Sequence, residues 1–226
     1  MTIYIMTRRL MPALVVAAAL IGIGLPAVAE DDAVKAALEA ASETAAVSYK
    51  TTLLADPNTP VLGNPNGDVV IVKFFDYQCP YCKAVEPKLE KLIEDDKGVK
   101  IVVKEFPILG PASVVASKAA LASVRQGKYA AFHHALMTYR GQLTDEVIFT
   151  AAKSVGLDID KLRKDMISPE VADQLLANFN LARALKVSVT PGYFIGTHEL
   201  SGVSAKTSSG AIDFPAEVAA ARAHKS

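Results

Sequence analysis

Residues 69–83 read VVIVKFFDYQCPYCK, and the order of these residues decides the fold. Val69 to Phe75 is a near-continuous run of β-branched and aromatic residues, the composition of a buried strand. Cys79-Pro80-Tyr81-Cys82 follows, and a helix opens on it. Cys82, Val85, Leu89, Leu92 and Ile93 share one face of that helix as far as about Asp96, where Lys97-Gly98 ends it. Pro87 lies inside the helix and is expected to kink it. Val99 to Phe106 is a second apolar run. Strand, helix and strand make a βαβ unit with parallel pairing.

A CxxC at the start of a helix has a chemical rationale. Unpaired backbone N–H groups and the macrodipole at Cys79 favour a thiolate, the form that attacks a disulfide. Cys82 falls on the inward face, placed to attack the mixed disulfide and release the product. Cys79 is therefore expected to be the nucleophile and Cys82 the resolving thiol. Pro80 suits the first turn, where its missing N–H is no loss. Tyr81 brings no cation to hold the thiolate. Structural zinc would need four ligands, and there is no second CxxC. His133 and His134 are about 100° apart on a helix and do not converge. His133 falls on an apolar face and reads as a packed, hydrogen-bonded histidine. His134, His198 and His224 read as solvated. Two thiolates could instead hold Cu(I).

Outward from this unit, Asp56 to Asp68 (DPNTPVLGNPNGD) is turn chemistry throughout. Residues 30–56 form an Ala-rich helical extension with a thin stripe at Val34, Ala37, Leu38, Ala41 and Ala45. The first 29 residues read as a cleaved signal peptide: Arg8 and Arg9, an apolar run from Leu10 to Leu25, then Ala27-Val28-Ala29 before an acidic stretch. The alternative is an uncleaved membrane anchor. From Pro111 to about Leu185 only helices are expected, with Thr144 and Asp158 as caps. Strands return at Val187–Thr190 and Tyr193–Ile195. A turn at Gly196-Thr197 leads to a short strand near Leu200, and Asp213-Phe214-Pro215 opens a closing helix.

The chain has 226 residues, 51% hydrophobic, 21% charged and 7% aromatic, which suits a globular protein and excludes a disordered one. Lys+Arg and Asp+Glu number 24 each, so no nucleic-acid partner is expected from charge. With Cys79 and Cys82 the only cysteines, a disulfide scaffold is excluded.

The segment Phe74-Phe75-Asp76-Tyr77-Gln78-Cys79-Pro80-Tyr81-Cys82-Lys83 resembles the active-site segment of DsbA-family thiol–disulfide oxidoreductases of the bacterial periplasm. Val61-Leu62-Gly63-Asn64-Pro65, Phe106-Pro107-Ile108-Leu109-Gly110 and Gly210-Ala211-Ile212-Asp213 extend the resemblance to roughly residues 57–222. It implies an α/β thioredoxin fold over residues 57–226. A mixed sheet would carry an all-helical insertion, about residues 111–185, between its βαβ and ββα halves. It implies a cis proline at Pro191 beside the CxxC, with the Thr190 backbone free to pair with an extended peptide. Pro80-Tyr81 together with Thr190 is similar to the isomerase-type relatives DsbG and ScsC.

The expected function is disulfide exchange on exported proteins in the periplasm, leaning to isomerase or reductase. The alternatives are a DsbA-type dithiol oxidase and a non-catalytic copper- or peptide-binding carrier. No organic cofactor and no metal are expected, because the Cys79–Cys82 pair is itself the redox group. A membrane redox partner would reset the pair, and copies would associate through residues 30–55. Glu105, at the end of the second strand, reads either as a buried proton shuttle for Cys82 or as a solvated strand end.

Overall fold

The computed structural model describes residues 27–54, 59–197, 204–207 and 212–224. Nearly all of the expected leader lies outside them, as do Leu200 and Gly210-Ala211; helix α1 (Ala27–Ser48) begins at Ala27. After α2 (Lys50–Leu54) come β1 (Val61–Gly63), β2 (Val69–Phe75), α3 (Pro80–Asp95) and β3 (Val99–Glu105). The helical insertion comprises α4 (Pro111–Ser123), a 3-10 turn, α5 (Tyr129–Thr138), α6 (Asp145–Ser154), α7 (Ile159–Met166) and α8 (Pro169–Ala184). Strands β4 (Gly192–Thr197) and β5 (Ser204–Thr207) and helix α9 (Phe214–Ala223) complete the chain. This is the thioredoxin fold with a helical insertion.

The sheet order is β1-β3-β2-β4-β5. Strands β2 and β3 run parallel, in register from Val69↔Val99 to Phe75↔Glu105, and the other pairs are antiparallel. Every residue of β2 is buried because both faces of the sheet are covered. Val69, Ile71 and Phe75 join one core with α3, α9 and the insertion. Val70, Val72 and Phe74 join a second with α8 and the N-terminal helices. A strand covered twice has no polar face to alternate with, hence its continuous apolar run. The caps at Thr144 and Asp158 form, accepting from the Val147 and Lys161 N–H groups.

Four expectations are corrected. Val61–Gly63, read as turn, is an edge strand on β3; three residues are too few to show a period. Val187–Thr190 is not a strand. Lys186 is left-handed (φ 59°), and the Val187 N–H caps the end of α8 on the Ala182 carbonyl, so this β-branched run closes a helix. Gly196-Thr197 is not a turn but continues β4 opposite Val70 and Val69, and the last described strand is at 204–207.

The buried face of the N-terminal extension is the fourth. Val34, on the expected stripe, is 68% exposed, and Leu38 is exposed too. Ser42, Ala46 and Leu53 are buried instead. The second half of α1 lies along β5, where the Glu43 carboxylate accepts from the Ala205 N–H at 3.0 Å. It thereby covers an edge strand that would otherwise offer free backbone groups. Packing thus crosses the border expected near residue 56, which itself lies outside the described residues.

Leu53→Ala should accordingly destabilise the protein by about 2–4 kcal/mol, the usual result of emptying a core site. Val34→Ala should change it by less than about 0.5 kcal/mol. Urea melts of the two variants measure the difference; equal effects would mean that the extension is a detached arm.

Candidate active site at the start of helix α3

Cys79 is the N-cap of α3, with extended backbone, and Pro80 takes the first helical position. The Cys79 sulfur accepts from the Cys82 N–H at 3.4 Å. Facing it is the loop before β4, where the Thr190–Pro191 peptide bond is cis. The Cys79 thiol donates to the Thr190 carbonyl at 3.3 Å. Tyr81 and Val189, each about half exposed, and the exposed Leu109 stand on the three segments that meet here.

The turn between β2 and α3 is held by Asp76. Its buried side chain accepts from the Gln78 N–H (2.7 Å), the Leu109 N–H (2.9 Å) and the Ser113 hydroxyl (2.7 Å). The Gln78 amide donates to Ser113 Oγ and the Leu109 carbonyl. The cysteine turn is thus tied to the loop after β3 and to α4.

The two sulfurs are driven apart in acidity. A hydrogen bond from the Cys82 side chain lowers Cys79 to about 6, with burial opposing and the Thr190 side chain and the Cys82 and Tyr81 N–H groups assisting. Burial drives Cys82 the other way, far above the ordinary thiol value. The Cys79 sulfur adds to that rise, while the Asp76 backbone and Lys73 oppose it. The lowered value favours the thiolate at Cys79, and burial keeps Cys82 a thiol.

Beneath them runs a buried polar chain. Lys73, the one charged residue of β2, is ion-paired with Glu86, which lies one helical turn after Cys82. Burial disfavours ionisation of Glu86, but Lys73 and His133 outweigh it and hold its carboxyl well below the usual range. His133 Nε2 lies 3.0 Å from Glu86 Oε1, and its Nδ1 lies 2.9 Å from the Tyr77 hydroxyl. That hydroxyl is also 2.9 Å from Glu105 Oε1, which Tyr129 meets at 2.8 Å; Ser117 donates to Oε2 at 2.7 Å. Burial pushes the Glu105 carboxyl up to about 8, against hydrogen bonds from Ser117, Tyr129 and Tyr77 and the Lys73 charge. Proton counting agrees. With Glu86 ionised, His133 carries its proton on Nε2, so Tyr77 has one proton to offer both His133 Nδ1 and Glu105. A proton on Glu105 completes the set.

Cys79, Pro80, Tyr81, Cys82, Thr190 and Pro191 meet in one place. Glu105 is buried rather than solvated, and its hydrogen bonds lead to the cysteine helix through Tyr77 and His133. Its neighbour Lys104 points to the other side of the sheet, donating to Thr59 Oγ1 and the Thr52 carbonyl. His133 is packed and hydrogen-bonded, whereas His134 pairs with Glu90 at the surface; His198 lies outside the described residues. Sequence reasoning missed Asp76, Lys73, Glu86 and Tyr77. Two signals pointed to them: a lone lysine in an apolar strand, and a glutamate four residues after Cys82. Among the described residues, no group of three or more His, Cys, Asp or Glu is placed to hold a metal, and no helix is long and apolar enough to cross a membrane.

Between the ordinary carboxyl value of 4.5 and about 8, the folded protein keeps a proton on Glu105 that the unfolded chain releases. Glu105 therefore loses stability for the fold as pH rises, by about 1.4 kcal/mol per pH unit. Glu105→Gln should gain on the parent protein across that window. Thermal melts at pH 5 and pH 8 measure it, and a constant difference would show Glu105 to be ionised throughout.

Residues 70–212 match the DSBA-like thioredoxin domain family. A thioredoxin-like oxidoreductase from Silicibacter pomeroyi is 39% identical, with a TM-score of 0.68 over 78% of this chain and 98% of its own. The thiol–disulfide exchange protein alpha-DsbA2 of Wolbachia pipientis is 32% identical, with a TM-score of 0.67 over 76% and 92%. The catalytic domain of Proteus mirabilis ScsC is 28% identical, with a TM-score of 0.68 over 80% and 97%. Among curated relatives, two Na(+)/H(+) antiporters of Salinispora are 27% and 28% identical; the matches cover 66% and 60% of this chain but only 24% and 21% of theirs. The chain thus spans about a quarter of those proteins. With the matched family segment running from the second residue of β2 to the threshold of α9, this chain belongs to the DSBA-like thioredoxin domain family.

Proposed function

We propose that the protein is a thiol–disulfide oxidoreductase of the periplasm that acts on exported proteins through Cys79 and Cys82, leaning to isomerisation and reduction. The observation that carries this reading is the geometry of the cysteine pair: Cys79 caps α3, its sulfur accepts from the Cys82 N–H, and it faces the Thr190 carbonyl beside the cis Pro191. The Cys79 thiolate attacks a substrate disulfide; that S–S bond breaks, and one substrate sulfur leaves as a thiolate and takes up a proton. In isomerisation another substrate thiolate then attacks the mixed disulfide and frees Cys79. In reduction Cys82 loses its proton and attacks Cys79 Sγ, releasing the second substrate thiol. Two electrons have then passed from the cysteine pair to the substrate, and a membrane redox partner returns them. No organic cofactor enters, since the pair is the redox group. Once Cys79 has lost its proton or is bonded to substrate, the Thr190 carbonyl that receives its thiol in this structure can accept from an extended substrate backbone instead.

Tyr81, which brings no cation to the thiolate, and the likeness of Pro80-Tyr81 with Thr190 to DsbG and ScsC support the isomerase side. The lowered pKa of Cys79 favours the opposite direction, dithiol oxidation, because it stabilises the reduced pair. Recovery of scrambled ribonuclease, compared with oxidation of reduced ribonuclease in a glutathione buffer, separates the two. Unscrambling should be at least as fast as oxidation, and oxidation without unscrambling would make the protein a plain oxidase. Cys79→Ser should abolish both activities, and Cys82→Ser should accumulate mixed disulfides visible on non-reducing gels. Faster alkylation of Cys82 than of Cys79 at mildly acidic pH would reverse their roles.

Export rests on the leader at residues 1–29. Association of copies is supported by the exposed Val34 and Leu38 on the first half of α1. Replacing both with glutamate should reduce the mass seen by light scattering to that of a monomer. A parent protein already monomeric would remove the idea.

A further inference from the structure

Tyr193 is the second residue of β4, directly opposite Lys73 in the ladder with β2. Its ring packs edge-on against Phe214 at 5.2 Å, and the residue is 1% exposed. Its hydroxyl has no hydrogen-bond partner among the described residues. A phenylalanine would fill the same space without burying an unpaired donor, which is unfavourable. Its place opposite Lys73 puts Tyr193 on the face of the sheet that packs in one core with α3 and Cys82. Burial holds the tyrosine proton firmly in place, and the charges that add to this are Cys82 first, then Glu86, then Cys79. Both cysteines are free thiols in this structure. A neutral, buried Cys82 sulfur is a weak acceptor; as a thiolate it is a strong one. Lys73, the cation nearest to it in effect, is committed to Glu86.

We infer that the Tyr193 hydroxyl is the hydrogen-bond donor that receives Cys82 when its sulfur carries charge. When an incoming thiolate attacks Cys79 Sγ of the oxidised pair, a bond forms to Cys79 and the Cys79–Cys82 bond breaks. The electron pair leaves on Cys82 Sγ, and Tyr193 O–H donates to it. In the reverse step the same bond steadies the Cys82 thiolate as it attacks Cys79 Sγ and expels the substrate thiolate. Tyr193 keeps its proton throughout; the proton that converts Cys82 to the thiol comes from solvent. The inference rests on the oxidoreductase reading above and assigns to that site a residue from the strand after the proline loop.

Tyr193→Phe tests it, because the variant removes one oxygen and leaves the ring. Stopped-flow reduction of the oxidised protein by dithiothreitol reads the step in which Cys82 leaves. Decay of a preformed mixed disulfide reads the step in which Cys82 attacks. Both should slow by about ten- to a hundredfold, the effect of losing one hydrogen bond to a charged group. The melting temperature should hold or rise, since an unpaired buried hydroxyl is gone. The Cys79 thiolate titration should keep its midpoint near 6. Parent-like rates for Tyr193→Phe in both assays would overturn the inference and leave the hydroxyl a packing atom. A parent protein that exchanges with no thiol would sink the oxidoreductase reading itself, which a slowed variant of an active parent does not.

Discussion

One buried carboxylate holds the reactive turn together. Asp76 follows β2 immediately, and its two oxygens collect donors from its own turn, from the loop after β3 and from α4. Each is a hydrogen bond to a charged acceptor, worth about 1.5–3 kcal/mol where it is made and more to leave unmade. Because these donors lie more than thirty residues away in the chain at Leu109 and Ser113, the insertion becomes part of the site's foundation. The N-cap geometry of Cys79 depends on that fixity. A helix start free to swing would not hold the Cys82 N–H on the Cys79 sulfur while presenting the sulfur to the Thr190 carbonyl.

The charges under the cysteines have a different logic. Burying an ammonium and a carboxylate is expensive even when they pair, and apolar residues of the same size would serve stability as well or better. Lys73 nonetheless interrupts an otherwise apolar strand, and it lies on the face of β2 that carries Ile71 and Phe75, towards α3. Its partner Glu86 is on the turn of α3 below Cys82, and His133 reaches in from α5 to take the other carboxylate oxygen. Three elements thus bring polar groups together beneath the cysteine helix, and the Lys73 charge among them acts on Cys82. Stability alone gives no reason to gather them there.

Legibility in the sequence followed the range of the interaction. The βαβ unit, the insertion and the two cysteines are written in short-range periodicity and in caps such as Thr144 and Asp158, where the decisive contact is three residues away. Strand β1 was lost because its pairing with β3 is a contact across some forty residues and leaves no local pattern. The run Val187–Thr190 misled because β-branched residues also suit a helix terminus, with Val187 capping Ala182. Some of Lys73, Glu86, His133, Tyr77 and Glu105 stand out in their own segments, such as the lone lysine of an apolar strand, but their pairing does not. They become a network only once β2, α3, β3 and α5 are stacked, which no single-segment period encodes. The extension at residues 30–56 was misread for a related reason. The large side chains of the expected stripe, Val34 and Leu38, face water, whereas Ser42, Ala46 and Leu53 are buried against the domain.

This separation of range suggests how the site can be tuned without disturbing the fold. The groups that set Cys79 lie at the helix start and on the loop facing it: the Cys82 side chain first, then the Thr190 side chain, then the Cys82 and Tyr81 N–H groups. Tyr81 is half exposed and Thr190 stands on a loop, so substitutions at either change the thiolate's surroundings with little packing at stake. The groups that set Cys82 are the reverse, because burial dominates and Lys73 reaches it from the middle of the sheet. Removing the lysine would leave Glu86 as an unpaired buried charge, a loss of about 3–5 kcal/mol. Variation in redox behaviour among chains of this architecture is therefore cheapest at Tyr81 and Thr190. Cys82 is held in place by the same interactions that hold the core.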